Sequence, residues 1–157
     1  MAMTVAQAMT REVVTASPDE PVSIVARRML DSGHASLPVV DADGRVVGMI
    51  SEADLIRLVI PKYVDMLEDV SFLPPELDFI SVETDEPLGR VKVEQVMRRE
   101  PLYTVEEQTP LVEAALLILH HRIRRLPVVR DGKLVGILSR GDIVRAIVHP
   151  ALEESLQ

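Results

Sequence analysis

With 157 residues, 25 acidic against 17 basic side chains and a net charge of −8, the chain is too acidic to present the broad basic face of a general nucleic-acid binder. It holds no cysteine, which removes disulfides, thiolate metal sites and a cysteine nucleophile, and its 47% apolar content with few aromatics (Tyr 2, Phe 2) implies an aliphatic core. No apolar run approaches the length that spans a bilayer, and the opening MAMTVAQAMTREVV lacks the regions of a signal peptide, so a cytoplasmic protein with no membrane contact is expected.

In chain order, the β-branched run Val13, Val14, Thr15 predicts a short strand. Pro21 then opens a helix whose apolar residues Val22, Val25, Ala26, Met29 and Leu30 recur at i, i+3, i+4, i+7 and i+8, one face of an amphipathic helix. Two apolar runs, residues 37–40 and 46–50, flank Asp43-Gly44 and read as a β-hairpin. Ser51 stands where a helix N-cap belongs, ahead of Leu55, Ile56, Leu58 and Val59. The unit is β-α-β-β-α and occupies residues 5–60.

Residues 61–92 follow as an acidic, partly apolar linker with 8 acids against 3 bases. Tyr63, Met66, Leu67 and Val70 sit at helical spacing, so the preceding helix is expected to resume until Pro74-Pro75 forces an extended turn. These residues either pack back on the protein's own core or form a surface for a partner protein.

Residues 93–148 then repeat the first unit. VAQAM at residue 5 returns as VEQVM at residue 93, and LPVV at Leu37 returns at Leu126. The offset is 88 at the start, 89 through the helix and first hairpin strand, and 88 again from Gly44 onward. Leu102 and Thr104 mark the second short strand. Pro110 opens a helix with Leu111, Ala114, Ala115, Ile118 and Leu119. Residues 126–129 and 134–138 flank Asp131-Gly132, and Ser139 precedes Ile143, Val144, Ala146 and Ile147. A tail, residues 149–157, closes the chain. One unit has too little core to be secure alone, so two packed about a pseudo-two-fold axis into one α/β (α+β) module are expected.

Three features could carry chemistry. The first is Ser-x-x-Asp, at Ser51/Asp54 and Ser139/Asp142, which is a helix capping box and equally a carboxylate beside a helix N-terminus. The second is the basic stretch Arg122, Arg124 and Arg125, which follows a helix ending near His120-His121. Cations there meet the helix dipole favourably, and they could also grip phosphate; Arg122 reads as a surface charge. The third is the pair Gly48 and Gly136, where a ligand or a neighbouring backbone approaches closely. No phosphate-cradling glycine pattern, Ser-His-Asp order or His-Glu-x-x-His metal motif is present, so no enzyme and no metal site are expected.

The order h-P-V-V, D-G hairpin, G-h-h-S-x-x-D and closing helix, occurring twice, resembles the CBS domain, and the pair resembles a Bateman module. The resemblance covers residues 5–60 and 93–148. It implies a regulatory module that binds an adenosyl ligand (AMP, ADP, ATP or S-adenosylmethionine) in a cleft between the repeats and passes that state to a partner. It implies ribose binding by Asp54 and Asp142, and phosphate contacts by Ser51, Ser139, Arg124 and Arg125. It further implies an adenine slot from Val13, Val14, Thr15, Met49, Ile50, Leu102, Thr104, Ile137 and Leu138. By the same analogy the chain forms a homodimer. The chemistry is consistent: an ionised Asp only accepts hydrogen bonds and matches the two O–H donors of a ribose diol. Arg124 and Arg125 stand where the first copy has Ala35 and Ser36, so the two clefts are expected to be unequal. A ligand-free structural or dimerisation module, and more remotely a nucleic-acid binder using residues 122–130, are the other readings.

Overall fold

The helical spacings of the sequence become buried faces only in part in this computed structural model, which describes residues 2–59, 69, 71 and 89–155. Leu30 and Leu119, expected on those faces, are 80% and 66% exposed, because the i+8 position lies about 80° round the helix from the first. A one-turn helix α1 (Val5–Ala8) precedes α2 (Val22–Ser32), which buries Val22, Val25 and Met29. Pro21 is the residue just before α2, extended at φ −60° and ψ 137°, and Pro110 does the same for the matching helix. Each proline therefore stands one position outside the helix it introduces, where its missing N–H costs nothing. Next come the antiparallel strands β1 (Ser36–Val40) and β2 (Val46–Ser51), then α3 (Glu52–Val59).

The second copy repeats this with α4 (Val93–Val96), β3 (Val105–Glu106), α5 (Leu111–His121), β4 (Arg125–Arg130) and β5 (Lys133–Ser139). It closes with α6 (Arg140–Ile143), a π-helical turn (Val144–Val148) and α7 (His149–Ser155), so the expected tail continues the closing helix. Its sheet runs β3-β4-β5, with β3 parallel to β4 and β4 antiparallel to β5.

The strands expected at residues 13–15 and 102–104 are displaced towards the C-terminus. The pairing falls on Ala16, which bridges Val39 in parallel, and on Val105–Glu106, which pair Val128 and Val129. Ala16 donates its N–H to the Pro38 carbonyl (3.0 Å) and accepts from Val40 (2.8 Å), so the ladder forms where a small buried residue meets the hairpin. The helix expected over residues 63–70 and the surface expected over 61–92 lie almost wholly outside the described residues.

The hairpins differ by one residue, which accounts for the late change in repeat offset. Asp131 and Gly132 both have positive φ (52° and 79°), the signature of a two-residue type I′ turn. In the first copy the Asp41 carboxylate instead accepts from the N–H groups of Asp43 and Arg45, each at 2.9 Å, and folds a longer turn.

The contiguous repeats are not the packing units. Val5 packs in the core of the second copy with Leu111, Ile118, Leu126 and Leu138. Val91, Val93 and Met97 pack in the core of the first copy with Val25, Leu37 and Ile50. Reciprocal backbone bonds fix this exchange. Thr10 and Ile137 trade N–H···O bonds at 2.9 Å each, and their counterparts Arg98 and Met49 do so at 2.8 and 2.9 Å. Gly48 and Gly136 are the points of closest approach: a Cβ on Gly48 would stand 2.9 Å from the Arg98 carbonyl oxygen, and one on Gly136 would stand 3.0 Å from that of Thr10. Of the two roles open to these glycines in the sequence, the neighbouring backbone fills both. The hairpin tips also meet across the pseudo-two-fold axis, where Leu134 donates to Gly44 (2.9 Å) and Val46 to Gly132 (3.4 Å).

Candidate functional site

Each Ser-x-x-Asp lies at the junction between a hairpin strand and its closing helix, and in both copies it forms the capping box read from the sequence. Asp54 Oδ2 accepts from the Ser51 amide (2.8 Å) and hydroxyl (3.0 Å), and Asp142 Oδ2 accepts from the Ser139 amide (2.8 Å). The second carboxylate oxygen separates the two. Asp142 Oδ1 accepts from the Thr10 hydroxyl (3.1 Å) and from Arg145 (2.6 Å), and the side chain is 4% exposed. Among the described residues Asp54 Oδ1 has only the Arg57 guanidinium at 3.6 Å, beyond hydrogen-bond range, and its side chain is 14% exposed. The cap takes one oxygen of each carboxylate; among the described residues Asp54 Oδ1 accepts no hydrogen bond, whereas Asp142 Oδ1 accepts two.

Part of the difference originates in the exchanged segments, the rest in the closer approach of Arg145 to Asp142 than of Arg57 to Asp54. Thr10 lies beside Asp142 and closes its carboxylate; at the equivalent place beside Asp54 stands Arg98. A cleft of about 560 Å³ opens there, within the usual range for a small-molecule site. The first copy lines it with Ala35, Ser36, Met49, Ser51, Glu52, Ala53, Asp54 and Arg57. The second contributes Arg98, Pro101 and Tyr103, the loop from His121 to Arg125, and Pro127. Asp54, Ser51, Met49, Arg124 and Arg125 are thus brought to the lining of one cleft, where the charge that acts on Arg125 is that of Asp142.

The other expected site residues fall elsewhere. Ile50 and Leu138 are fully buried core residues and present no wall to a ligand. Side chains alternate along a strand, so Met49 reaches the cleft only because Ile50 turns inward. Ile137 is buried, with its backbone paired to Thr10. Thr15 offers its carbonyl to Arg28 (2.7 Å), and Val14 packs on the first core. Val13, Leu102, Thr104, Ser139 and Asp142 are likewise absent from the lining of this cleft.

The cleft also holds residues the sequence reading passed over. Tyr103, between Leu102 and Thr104, stacks on His121 with ring centroids 4.2 Å apart and planes 21° from parallel. Its one clue was rarity, an aromatic in a chain with four. Arg122, read as a surface charge, lines the cleft in the left-handed conformation (φ 54°) at the end of α5. The loop carrying it is tethered by Arg140, whose Nε donates to the Ile123 carbonyl (3.1 Å).

Arg125 sits near the pseudo-two-fold axis and donates to the carbonyl of Ser36, its own counterpart in the other copy, at 2.6 Å. Burial lowers its pKa and the Asp142 charge raises it; a guanidinium starts so high that it stays ionised. His34 has a lowered pKa because burial and the Arg125 charge both disfavour the imidazolium. The unfolded chain, titrating near 6.5, therefore takes up this proton first on acidification. The stability contributed by neutral His34 is complete above that value and is lost as pH falls through and below it. A urea titration between about pH 7.5 and 5.5 is expected to show a smaller acid loss for His34→Gln than for the wild type. An equal loss in both would contradict it.

Among the described residues no group of His, Asp and Glu is arranged to hold a metal ion, and no helix is long and apolar enough to cross a membrane.

A family model described as CBS domain matches twice, at residues 5–61 and 93–149. The chain is 35% identical over 156 residues to the chloroplastic CBS domain-containing protein CBSX1 of Arabidopsis thaliana, covering 93% of this chain and 64% of that one. It is 30% identical to a CBS domain-containing protein of Dictyostelium discoideum, over 94% and 93% of the two chains. A crystal structure of CBSX2 in complex with AMP superposes with a TM-score of 0.71 at 30% identity, covering 94% of this chain and 98% of that one.

Proposed function

The chain belongs to the CBS-domain family, and on that premise we propose that it is a regulatory nucleotide sensor whose adenine-nucleotide site is the Asp54 cleft. The observation that carries the reading is the Asp54 oxygen left outside the cap, which accepts no hydrogen bond among the described residues and shares its cleft with Arg124 and Arg125. Asp54 Oδ1 accepts from the ribose diol while Oδ2 keeps the cap. Ser51 and the first-turn amides of α3, with Arg124 and Arg125, receive phosphate oxygens. Met49 on one side and the Tyr103–His121 pair on the other form a slot for the base. The AMP complex of the similar CBSX2 supports this ligand class. The arginine-lined cleft favours AMP, ADP or ATP over S-adenosylmethionine, whose sulfonium brings positive charge to positive charge. Ser139 and Asp142 serve as a cap and a tie to the exchanged segment rather than as ligand groups. The role is regulatory, not catalytic.

The state is read out by association. Helix α5 is apolar on its outer face too: Val112, Leu116 and Leu119 are 64%, 48% and 66% exposed, beside exposed Val144, Ile147 and Val148. Such a patch is the contact surface of a homodimer or of a regulated partner protein. A ligand-free structural module is the second reading, favoured by the two complete capping boxes. Arg122, Arg124 and Arg125 converge on a cleft instead of spreading over a face, which suits a small anion better than a nucleic acid.

A thermal-shift screen of adenosine, AMP, ADP, ATP and S-adenosylmethionine separates these readings. A ligand at a hundredfold excess over its Kd adds about 2.7 kcal/mol to the folded state, a rise of several degrees. Stabilisation by the adenine nucleotides is expected. If no adenosyl compound moves the melt, the ligand-free module is the better account.

A further inference from the structure

Five guanidinium groups converge on the Asp54 cleft, from Arg57, Arg98, Arg122, Arg124 and Arg125. Set against Glu52 and Asp54, they leave the lining with a net charge of +3 in a chain of −8. Four of the five are departures from the chain's own repeat. Where the second copy has Arg98, Arg122, Arg124 and Arg125, the first has Thr10, Gly33, Ala35 and Ser36, all small and uncharged. One duplication thus yields a cleft whose positive charge comes almost wholly from one parent.

One of these arginines is held at a conformational cost. Gly33 ends α2 at φ 72°, where glycine is at ease, and its counterpart Arg122 ends α5 at φ 54°. A long side chain in the left-handed region is disfavoured, and it persists here at the rim of the cleft. A monophosphate carries about two negative charges at neutral pH, and two arginines can chelate it. Arg124 and Arg125 meet that need; Arg98 and Arg122 make no side-chain hydrogen bond or ion pair among the described residues and remain to be neutralised.

We infer that the cleft is built for a ligand with an oligophosphate chain of two or more phosphates, with Arg98 and Arg122 reading the phosphates beyond the first. This rests on the cleft proposed above, and it goes beyond it by setting ADP and ATP apart from AMP.

The test is calorimetry at low ionic strength, without divalent cations, using adenosine, AMP, ADP and ATP, with orthophosphate and pyrophosphate as base-free probes. ADP is expected to bind about tenfold more tightly than AMP, with a steeper salt dependence, and pyrophosphate more tightly than orthophosphate. Arg122→Gly restores the residue of the other copy, so it should raise the melting temperature of the free protein while weakening ADP about threefold and sparing AMP. Arg98→Thr should weaken ADP similarly. Equal affinities for AMP and ADP, with neither substitution changing ADP binding, would overturn the inference and leave the adenine reading standing. Pyrophosphate binding that is sensitive to Arg122→Gly, with no nucleotide bound better, would uphold the inference and remove the adenine reading. Failure of every phosphate compound to bind removes both.

Discussion

Asp54→Asn is expected to abolish measurable adenine-nucleotide binding while leaving the fold almost as stable as before. The amide oxygen of Asn can still accept from the Ser51 amide as Oδ2 does now at 2.8 Å, so the cap of α3 survives. What is lost is the second acceptor: the amide nitrogen is a donor and faces two hydroxyl donors of the ribose. Hydrogen bonds to a charged group contribute about 1.5–3 kcal/mol each, so losing two lowers affinity by about a hundredfold or more. Asp54→Ala should lose the same binding and, with the cap gone, about 1 kcal/mol of stability as well. Calorimetric titration paired with a urea melt separates the two effects. Wild-type affinity in Asp54→Asn would remove Asp54 from the ligand.

Asp142→Ala is expected to show the opposite pattern, a large stability loss with nucleotide affinity kept within a few-fold. This carboxylate caps α6, accepts from Arg145, and accepts from Thr10, which belongs to the segment that completes the second core. Its removal leaves a part-buried hydroxyl unpaired and the cap open, a loss of about 2–4 kcal/mol and a melting temperature lower by roughly 10 °C. Thr10→Val, which removes one of these bonds and keeps the shape, should cost about 1 kcal/mol. The nucleotide titration must be made well below the lowered midpoint. Lost binding at unchanged stability would show that Asp142, not Asp54, is the ligand group, and would reverse the assignment of the two copies.

These contrasts show where the sequence was legible. The duplication, helices, hairpins and Ser-x-x-Asp caps follow from period, turn residues and order, because each is a local pattern written twice. The exchange of leading segments is not local. VAQAM and VEQVM declare that Val5 and Val93 are buried, but the hydrophobic pattern does not name the core that receives them. That exchange places Thr10 over Asp142 and Arg98 beside Asp54, so the inequality of the two carboxylates was invisible even though their sequences match. The inequality expected from Arg124 and Arg125 was silent on which cleft they line. The adenine slot fared worse, because the apolar runs around Met49 and Ile137 show no alternation to say which side chain points outward. Ile50 and Leu138 look equivalent to their neighbours in sequence and are fully buried in the fold. Arg122 reads as a surface charge because its left-handed backbone has no signature other than the Gly33 it replaces.

The central claim is that an adenine nucleotide sits between the first copy's Asp54 and the second copy's arginine loop. Amide hydrogen exchange with and without saturating ADP tests it most directly. The account predicts added protection at residues 51–54 and 121–125, with residues 139–142 unchanged. Protection centred on residues 139–142, or binding that leaves residues 51–54 and 121–125 unaffected, would contradict it.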